Sequence, residues 1–290
     1  MRVLLTGGSG YIGSAVARDL LDAGHEVLAL ARSKSSRDRV EAIGCTAIAG
    51  AMDDAAAWLP PADDVDGVVH AAATFDADMA ATEAAFLDAV VYWAAGRLAP
   101  MLFVYTGGCW LYGAVGDRTA VEGSPFDPLA EFAFMVAHRA RLVAEPVLSA
   151  RVVHPAMVWD EDGGSLSGFL DSAAGGEAPV VAESLSTRWP LVHRADLARL
   201  YRLALERGEG GADYHGVGER GVRVGDVAAV IARRHGAPAP VVRSVEDTVS
   251  ALGGWAAGFA LDQTMDAPRS REALGWTPEQ PGALEVFGDA

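Results

Sequence analysis

Three glycines carry the clearest chemical signal in this chain. Gly7, Gly10 and Gly13 stand in Thr6-Gly7-Gly8-Ser9-Gly10-Tyr11-Ile12-Gly13, between an apolar run and an amphipathic one. One glycine of such a set makes a tight turn, one lets the backbone approach a pyrophosphate, and one lets helix and strand pack closely. The first N–H groups of the helix that follows, around Tyr11 and Ile12, then present a partial positive charge to the phosphates. A dinucleotide site is expected there. At the end of the next apolar run, where an acidic residue would bond the adenosine ribose, the chain has Arg32-Ser33-Lys34, with Arg37 and Arg39 beyond. An arginine there stacks on adenine and pairs with a 2′-phosphate, so NADP(H) is expected over NAD(H).

Other reactive residue types point to less. Cys45 and Cys109 have no paired spacing, so neither a disulfide framework nor a cysteine metal site is expected. Asp63-Asp64-Val65-Asp66 and Asp160-Glu161-Asp162 read as a solvated turn and a polar loop, and no metal is expected. The 290 residues carry 39 acidic and 23 basic side chains, a net charge of −16, which argues against a nucleic-acid partner. Of the basic residues Lys34 is the single lysine. Met1-Arg2 runs straight into Val3-Leu4-Leu5-Thr6, too short for a signal peptide, and the apolar stretch from Ala84 to Gly96 contains Asp88. A soluble cytoplasmic protein without a membrane partner is expected.

The elements that must position these groups alternate. Strands are expected at Val3–Thr6, Glu26–Ala31, Thr46–Ala49, Gly67–Ala71, Met101–Thr106 and Arg151–Val158. Helices are expected at Tyr11–Ala23, for about twenty residues from near Asp76, at Glu131–Glu145 and at Asp196–Glu206. Continuous apolar strands alternating with helices predict a parallel sheet covered on both faces, an α/β fold. A size of 290 residues admits one large or two modest domains.

Taken in order, these motifs resemble the extended or atypical short-chain dehydrogenase/reductase superfamily, specifically its NAD-dependent epimerase/dehydratase group. Besides the glycine loop, the resemblance rests on Gly67-Val-Val-His-Ala-Ala-Ala73, Phe103-Val-Tyr-Thr-Gly-Gly-Cys-Trp-Leu-Tyr-Gly113, His154-Pro-Ala-Met-Val-Trp159, Leu191-Val-His-Arg-Ala-Asp-Leu-Ala198 and Leu274-Gly-Trp-Thr-Pro278. It implies a doubly wound Rossmann domain over residues 1–160, with a core segment returning at about 188–207. Residues 161–187 and 208–290 would form a smaller C-terminal α/β substrate domain. It extends the cofactor site to Met52, Ala71, Ala72, Ala73, Thr106, Gly107, Pro155 and Met157. It also implies a small-molecule substrate, and homodimers through the helices near Asp76–Ala95 and Glu131–Glu145 are common in such proteins.

The family's chemistry uses a serine or threonine with a Tyr-x-x-x-Lys pair on one helix. No tyrosine of this chain has lysine four residues on. The serine position falls on Gly107 or Gly108. On the helix, matching Glu145 to the family's glutamate puts Arg141 for lysine and Ala137 for tyrosine. Sliding by three puts His138 and Phe134 there instead. The first frame is preferred, because a branch of the superfamily carries an arginine and a following glutamate on this helix. Arg141 would then hold the nicotinamide ribose, and His138, on the same face, would supply the proton. Cys109 and Tyr112 are further catalytic candidates, and Gly108, Trp110, Trp159 and Trp189 are expected to line the substrate. The function expected is an NADP(H)-dependent oxidoreductase of a small, largely apolar carbonyl, imine or activated alkene, with a non-standard proton donor. The alternative is an NADP(H)-binding protein without redox turnover, a sensor or a non-redox isomerase or cyclase.

Overall fold

The structure, a computed structural model, describes residues 1–76 and 78–288. The first half alternates as the sequence pattern requires. β1 (Arg2–Thr6), α1 (Tyr11–Asp22), β2 (Glu26–Ala31), α2 (Lys34–Ile43), β3 (Thr46–Ala49), a single turn α3 (Ala55–Trp58), β4 (Gly67–His70), α4 (Met79–Ala94), β5 (Met101–Thr106), α5 (Ala133–Ala144) and β6 (Leu148–Pro155) follow one another. Strands and helices then shorten: β7 (Met157–Asp160), β8 (Gly163–Gly164), α6 (Ser167–Ala174), β9 (Val180–Ala182), β10 (Arg188–His193), α7 (Arg194–Arg207), β11 (Asp213–Gly216), β12 (Glu219–Arg223), α8 (Val224–His235), β13 (Val241–Arg243), α9 (Val245–Leu252), α10 (Pro268–Leu274) and α11 (Ala283–Gly288).

Seven strands form one sheet in the order β11-β6-β5-β4-β1-β2-β3. Every pairing in it is parallel. β4 is buried along its whole length, as a central parallel strand covered on both faces must be. α1 puts Val16, Ala17 and Leu20 against this sheet, with α7 packed beside it. A Ser33 cap starts α2 and a left-handed Gly44 ends it. This is the Rossmann arrangement, and it places the C-terminal ends of β1, β4, β5 and β6 along one edge of the molecule.

Two expectations change here. The single strand expected over Arg151–Val158 breaks at Ala156. β6 stays in the large sheet, and β7 joins a second sheet of order β12-β10-β7-β8. The segment expected to rejoin the core at about 188–207 does so through α7, because β10 belongs to that second sheet. Conversely Asp213–Gly216, inside the stretch 208–290 expected for the smaller domain, is the seventh strand of the large sheet. No helix of the described residues is long and apolar enough to cross a membrane.

Candidate functional site

The turn after β1 is shaped by steric exclusion. Gly7 has φ +75°, and a Cβ there would lie 2.5 Å from the carbonyl oxygen of Ala71. A Cβ on Gly13 would lie 2.1 Å from the Gly7 carbonyl oxygen. Gly10 caps α1 without a side chain, and its N–H donates to the Gly7 carbonyl at 2.8 Å. The first turn of α1 has neither a capping side chain nor an acidic residue. Its N–H groups are therefore offered to an external anion, which fits the pyrophosphate of a dinucleotide.

Beside this turn opens a cavity of about 610 Å³. Gly10, Tyr11, Ile12 and Gly13 form one wall, Ala71, Ala72 and Ala73 the next, and Thr106, Gly107, Gly108, Pro155 and Met157 the edge of the sheet. Cys109 and Trp110 also line it. Several lining residues were not foreseen: Phe75, Met79, Glu83, Phe132, Met135, Trp255 and Phe259. Trp255 and Phe259 sit on a short helical turn, Gly254–Ala260, far along the chain. Gly258 in that turn lets the Trp110 ring approach, since a Cβ there would lie 2.4 Å from it. Trp110 packs against Phe132, Phe259 and Trp255 with ring centres 5.6, 5.5 and 6.2 Å apart. Nothing in the sequence around Trp255 and Phe259 signals which surface they meet.

The two glycines expected at the serine position differ. A Cβ on Gly107 would lie 2.3 Å from Nδ1 of His154, so that glycine makes room for the imidazole rather than for a substrate. Gly108 has open space around its missing Cβ. His154 is fully buried and accepts a 3.4 Å bond from the Gly108 N–H. Its Nε2 reaches Asp213, which Arg139 of α5 grips with two bonds, one of 2.8 Å. The turn is held from the other side by buried Gln263, whose amide donates to the carbonyls of Cys109 and Gly113 at 2.8 and 2.7 Å.

On α5 the second frame is the one that meets the cavity. Phe134 lines it, Ala137 is exposed, and Arg141 points away to Asp88 at 2.6 Å. Arg141 is therefore not at the ribose. His138 lies outside the cavity lining, edge-on to Phe134, with Nδ1 2.8 Å from Glu83. Glu83, rather than His138, is the titratable residue of this group that lines the cavity. Burial alone would raise its pKa, but the hydrogen bonds with His138 and Tyr105 and the interaction with nearby His70 outweigh burial and hold it at about 2. His70 also binds Thr6 through Nδ1 at 2.8 Å. Cys109 is buried, and burial pushes its thiol up to about 12.

The remaining expected residues fall elsewhere. Tyr112 is buried behind the loop, its hydroxyl on Nε2 of His215 at 2.8 Å. Trp159, on β7, packs against His193 and Phe287. Trp189 stacks on Phe169 and donates its N–H to the Phe259 carbonyl at 2.9 Å, so it supports the cavity wall without lining it. Met52 packs on the outer strands, its carbonyl facing the Trp58 N–H. Ser33 is committed to capping α2 and Lys34 to Asp38 at 2.6 Å. Arg32 is exposed at the end of β2, with no carboxylate partner among the described residues.

Comparison with known proteins agrees with this geometry. Residues 3–217 match the NAD dependent epimerase/dehydratase family. An uncharacterized protein of Saccharomyces cerevisiae is 31% identical, over 98% of this chain and 97% of its own. A 4-hydroxy-2-methyl-3-oxo-4-farnesyl-3,4-dihydroquinoline-1-oxide ketoreductase of Stigmatella aurantiaca is 29% identical over 74% of this chain and 67% of its own. Among solved structures, a dTDP-glucose 4,6-dehydratase from Streptomyces venezuelae with NAD bound superposes with a TM-score of 0.81, covering 99% of this chain and 95% of that one, at 21% identity.

Proposed function

This chain belongs to the NAD-dependent epimerase/dehydratase family, and on that footing we propose that it is an NADP(H)-dependent oxidoreductase of a small, largely apolar carbonyl, imine or activated alkene. The observation that carries this reading is the junction of two features. The phosphate-accepting turn at Gly7–Gly13 opens directly into a cavity walled by Trp110, Phe132, Phe134, Trp255 and Phe259. A dinucleotide bound to that turn supplies a hydride at nicotinamide C4. The residues of this chain hold its phosphates on the first turn of α1, exclude water with aromatic side chains, and leave the space at Gly108 free for a substrate ring. A sugar-nucleotide reaction is disfavoured, since Phe134 stands where the family's phenol would exchange the proton. Ketoreductase chemistry in the Stigmatella aurantiaca relative supports hydride transfer to an apolar acceptor.

Arg32 supports the choice of NADP(H), because an unpaired guanidinium at the end of β2 is placed for a 2′-phosphate. Titration of both cofactors tests it. NADPH is expected to bind at least about tenfold tighter than NADH, and Arg32→Ala to remove that difference. Tighter binding of NADH would refute the assignment. Turnover is tested by following cofactor oxidation against a panel of apolar ketones, imines and enones.

A second reading, cofactor binding without turnover, is favoured by Phe134 and Gly108 taking the positions of the usual tyrosine and serine. Tight NADPH binding with no oxidation by any acceptor class would establish it.

A further inference from the structure

The cavity has an electrostatic character that its apolar walls conceal. Among the described residues lining it, Glu83 is the one carboxylate, and no lysine, arginine or histidine stands with it. Nδ1 of His70 pairs with the Thr6 hydroxyl at 2.8 Å while its Nε2 lies 3.5 Å from Glu83, and Nδ1 of His138 lies 2.8 Å from Glu83. The phenol of Tyr105 donates to Glu83. Burial keeps the cavity-lining thiol of Cys109 and phenol of Tyr11 protonated, so neither adds a second negative charge to the lining. The same cavity is lined by Trp110, Trp255, Phe132 and Phe259, whose π-clouds also attract positive charge.

Proton supply points the same way. Hydride addition to a neutral carbonyl leaves an alkoxide that needs a proton at once. The phenol position holds Phe134 and the serine position Gly108. The hydroxyl of Thr106 beside them is already committed, to the His70 carbonyl at 2.6 Å and to Tyr201 at 2.7 Å. His138 is spent on Glu83.

We propose that the acceptor is a cation, an aromatic or alkyl-aryl iminium held between the Glu83 carboxylate and the Trp110–Trp255 faces. This inference rests on the oxidoreductase reading above and narrows its substrate class. The iminium carbon gains a hydride with its electron pair from a reduced nicotinamide dinucleotide. The C=N π pair withdraws to nitrogen as a lone pair, and the positive charge passes from the substrate to the oxidised nicotinamide. Atoms and charge balance with no proton entering or leaving. A tyrosine, a serine and a lysine are then unnecessary, which is the pattern this chain has.

The test compares two probes of one shape, N-methylquinolinium and 1-methylnaphthalene, by quenching of tryptophan fluorescence at physiological salt. The wild-type protein is expected to hold the cation at least about tenfold tighter, and Glu83→Gln to bring the two within about twofold. Equal affinities in the wild type overturn the proposal without any variant. Trp255→Leu, at the partly exposed mouth, provides a second check if Glu83→Gln does not fold: it should weaken the cation more than the hydrocarbon, and equal weakening counts against the proposal. Reduction of N-methyl-3,4-dihydroisoquinolinium with cofactor deuterated at C4 is then expected to place one deuterium on carbon, with no solvent isotope effect. If apolar ketones are reduced and the iminium is not, the cationic class is wrong and the oxidoreductase reading stands. If the cation binds selectively and no acceptor of any class is reduced, the oxidoreductase reading fails and takes the hydride step with it.

Discussion

At the scale of single residues, neighbouring identical letters do different work. Gly107 and Gly108 stand side by side after β5, yet one is packed under the His154 ring and the other faces empty space. Gly107→Ala is expected to destabilise the protein by about 1–3 kcal/mol, as overpacking does, while Gly108→Ser leaves the thermal midpoint nearly unchanged. Comparable losses in the two variants would contradict the packing seen here. Tyr112 shows the same contrast between residue type and role. In sequence it is a reactive side chain on the active-site loop. In the fold its hydroxyl satisfies His215 Nε2, whose other nitrogen is on the Asp266 carbonyl at 2.9 Å. Tyr112→Phe leaves a buried nitrogen unpaired, so a loss of about 1–3 kcal/mol in urea unfolding is expected, with NADPH affinity retained. A variant of full stability that no longer binds or reacts would return Tyr112 to the catalytic candidates.

At the scale of elements, α5 decides how the reacting centre is built. Both frames on this helix satisfy the sequence, because residues three apart share a face. Packing separates them: the helix leans Phe134 and Met135 into the cavity and leaves Arg141 on the outer side with Asp88. Arg141→Ala should therefore shift stability by no more than about 0.5 kcal/mol, the usual value of an exposed ion pair. His138→Ala removes a donor from a buried carboxylate and is expected to cost about 1–3 kcal/mol. Measuring both by denaturant titration distinguishes the frames, and a reversed order would favour the arginine frame. The junction of β2 and α2 gives a second lesson at this scale. Of three polar residues expected on the cofactor, Ser33 and Lys34 are used in building and pairing the helix, which leaves Arg32 free.

At the scale of the whole molecule, buried charge ties stability to pH. His215 is pushed down to about 3, first by burial and then by the nearby charge of His154. Unfolded, it takes up a proton near pH 6.5. Between about 6.5 and 3 the unfolded chain binds more protons, so stability falls on acidification. Glu83 has the same sign lower down, since its carboxylate is held at about 2 when folded and titrates near 4.5 when not. The urea midpoint is expected to stay level above pH 6.5, decline below it, and decline again below about 4.5. Glu83→Gln should reduce the second decline and keep the first. An unchanged profile in that variant would mean that Glu83 is not the ionised group described.

Much of this was legible in the sequence because local physics dictates it. The glycine turn needs glycine wherever it occurs, strands buried on both faces must be continuously apolar, and Lys34 as the single lysine excludes a tyrosine–lysine pair without reference to any fold. The parallel sheet and the dinucleotide cradle follow from those facts. The cavity does not, because its walls come from segments distant in the chain. Phe75, Phe134, Trp255 and Phe259 come to one cavity with Trp110 only after α4, α5 and the Gly254–Ala260 turn have packed around the loop that follows β5. Glu83 is one of two acidic residues on the largely apolar helix α4, and it becomes the charged group of the site once His70, Tyr105 and His138 converge on it. Periodicity tells which side of a helix is buried. Only tertiary packing decides what that side is buried against, and for this chain that is where an apolar wall ends and a single negative charge begins.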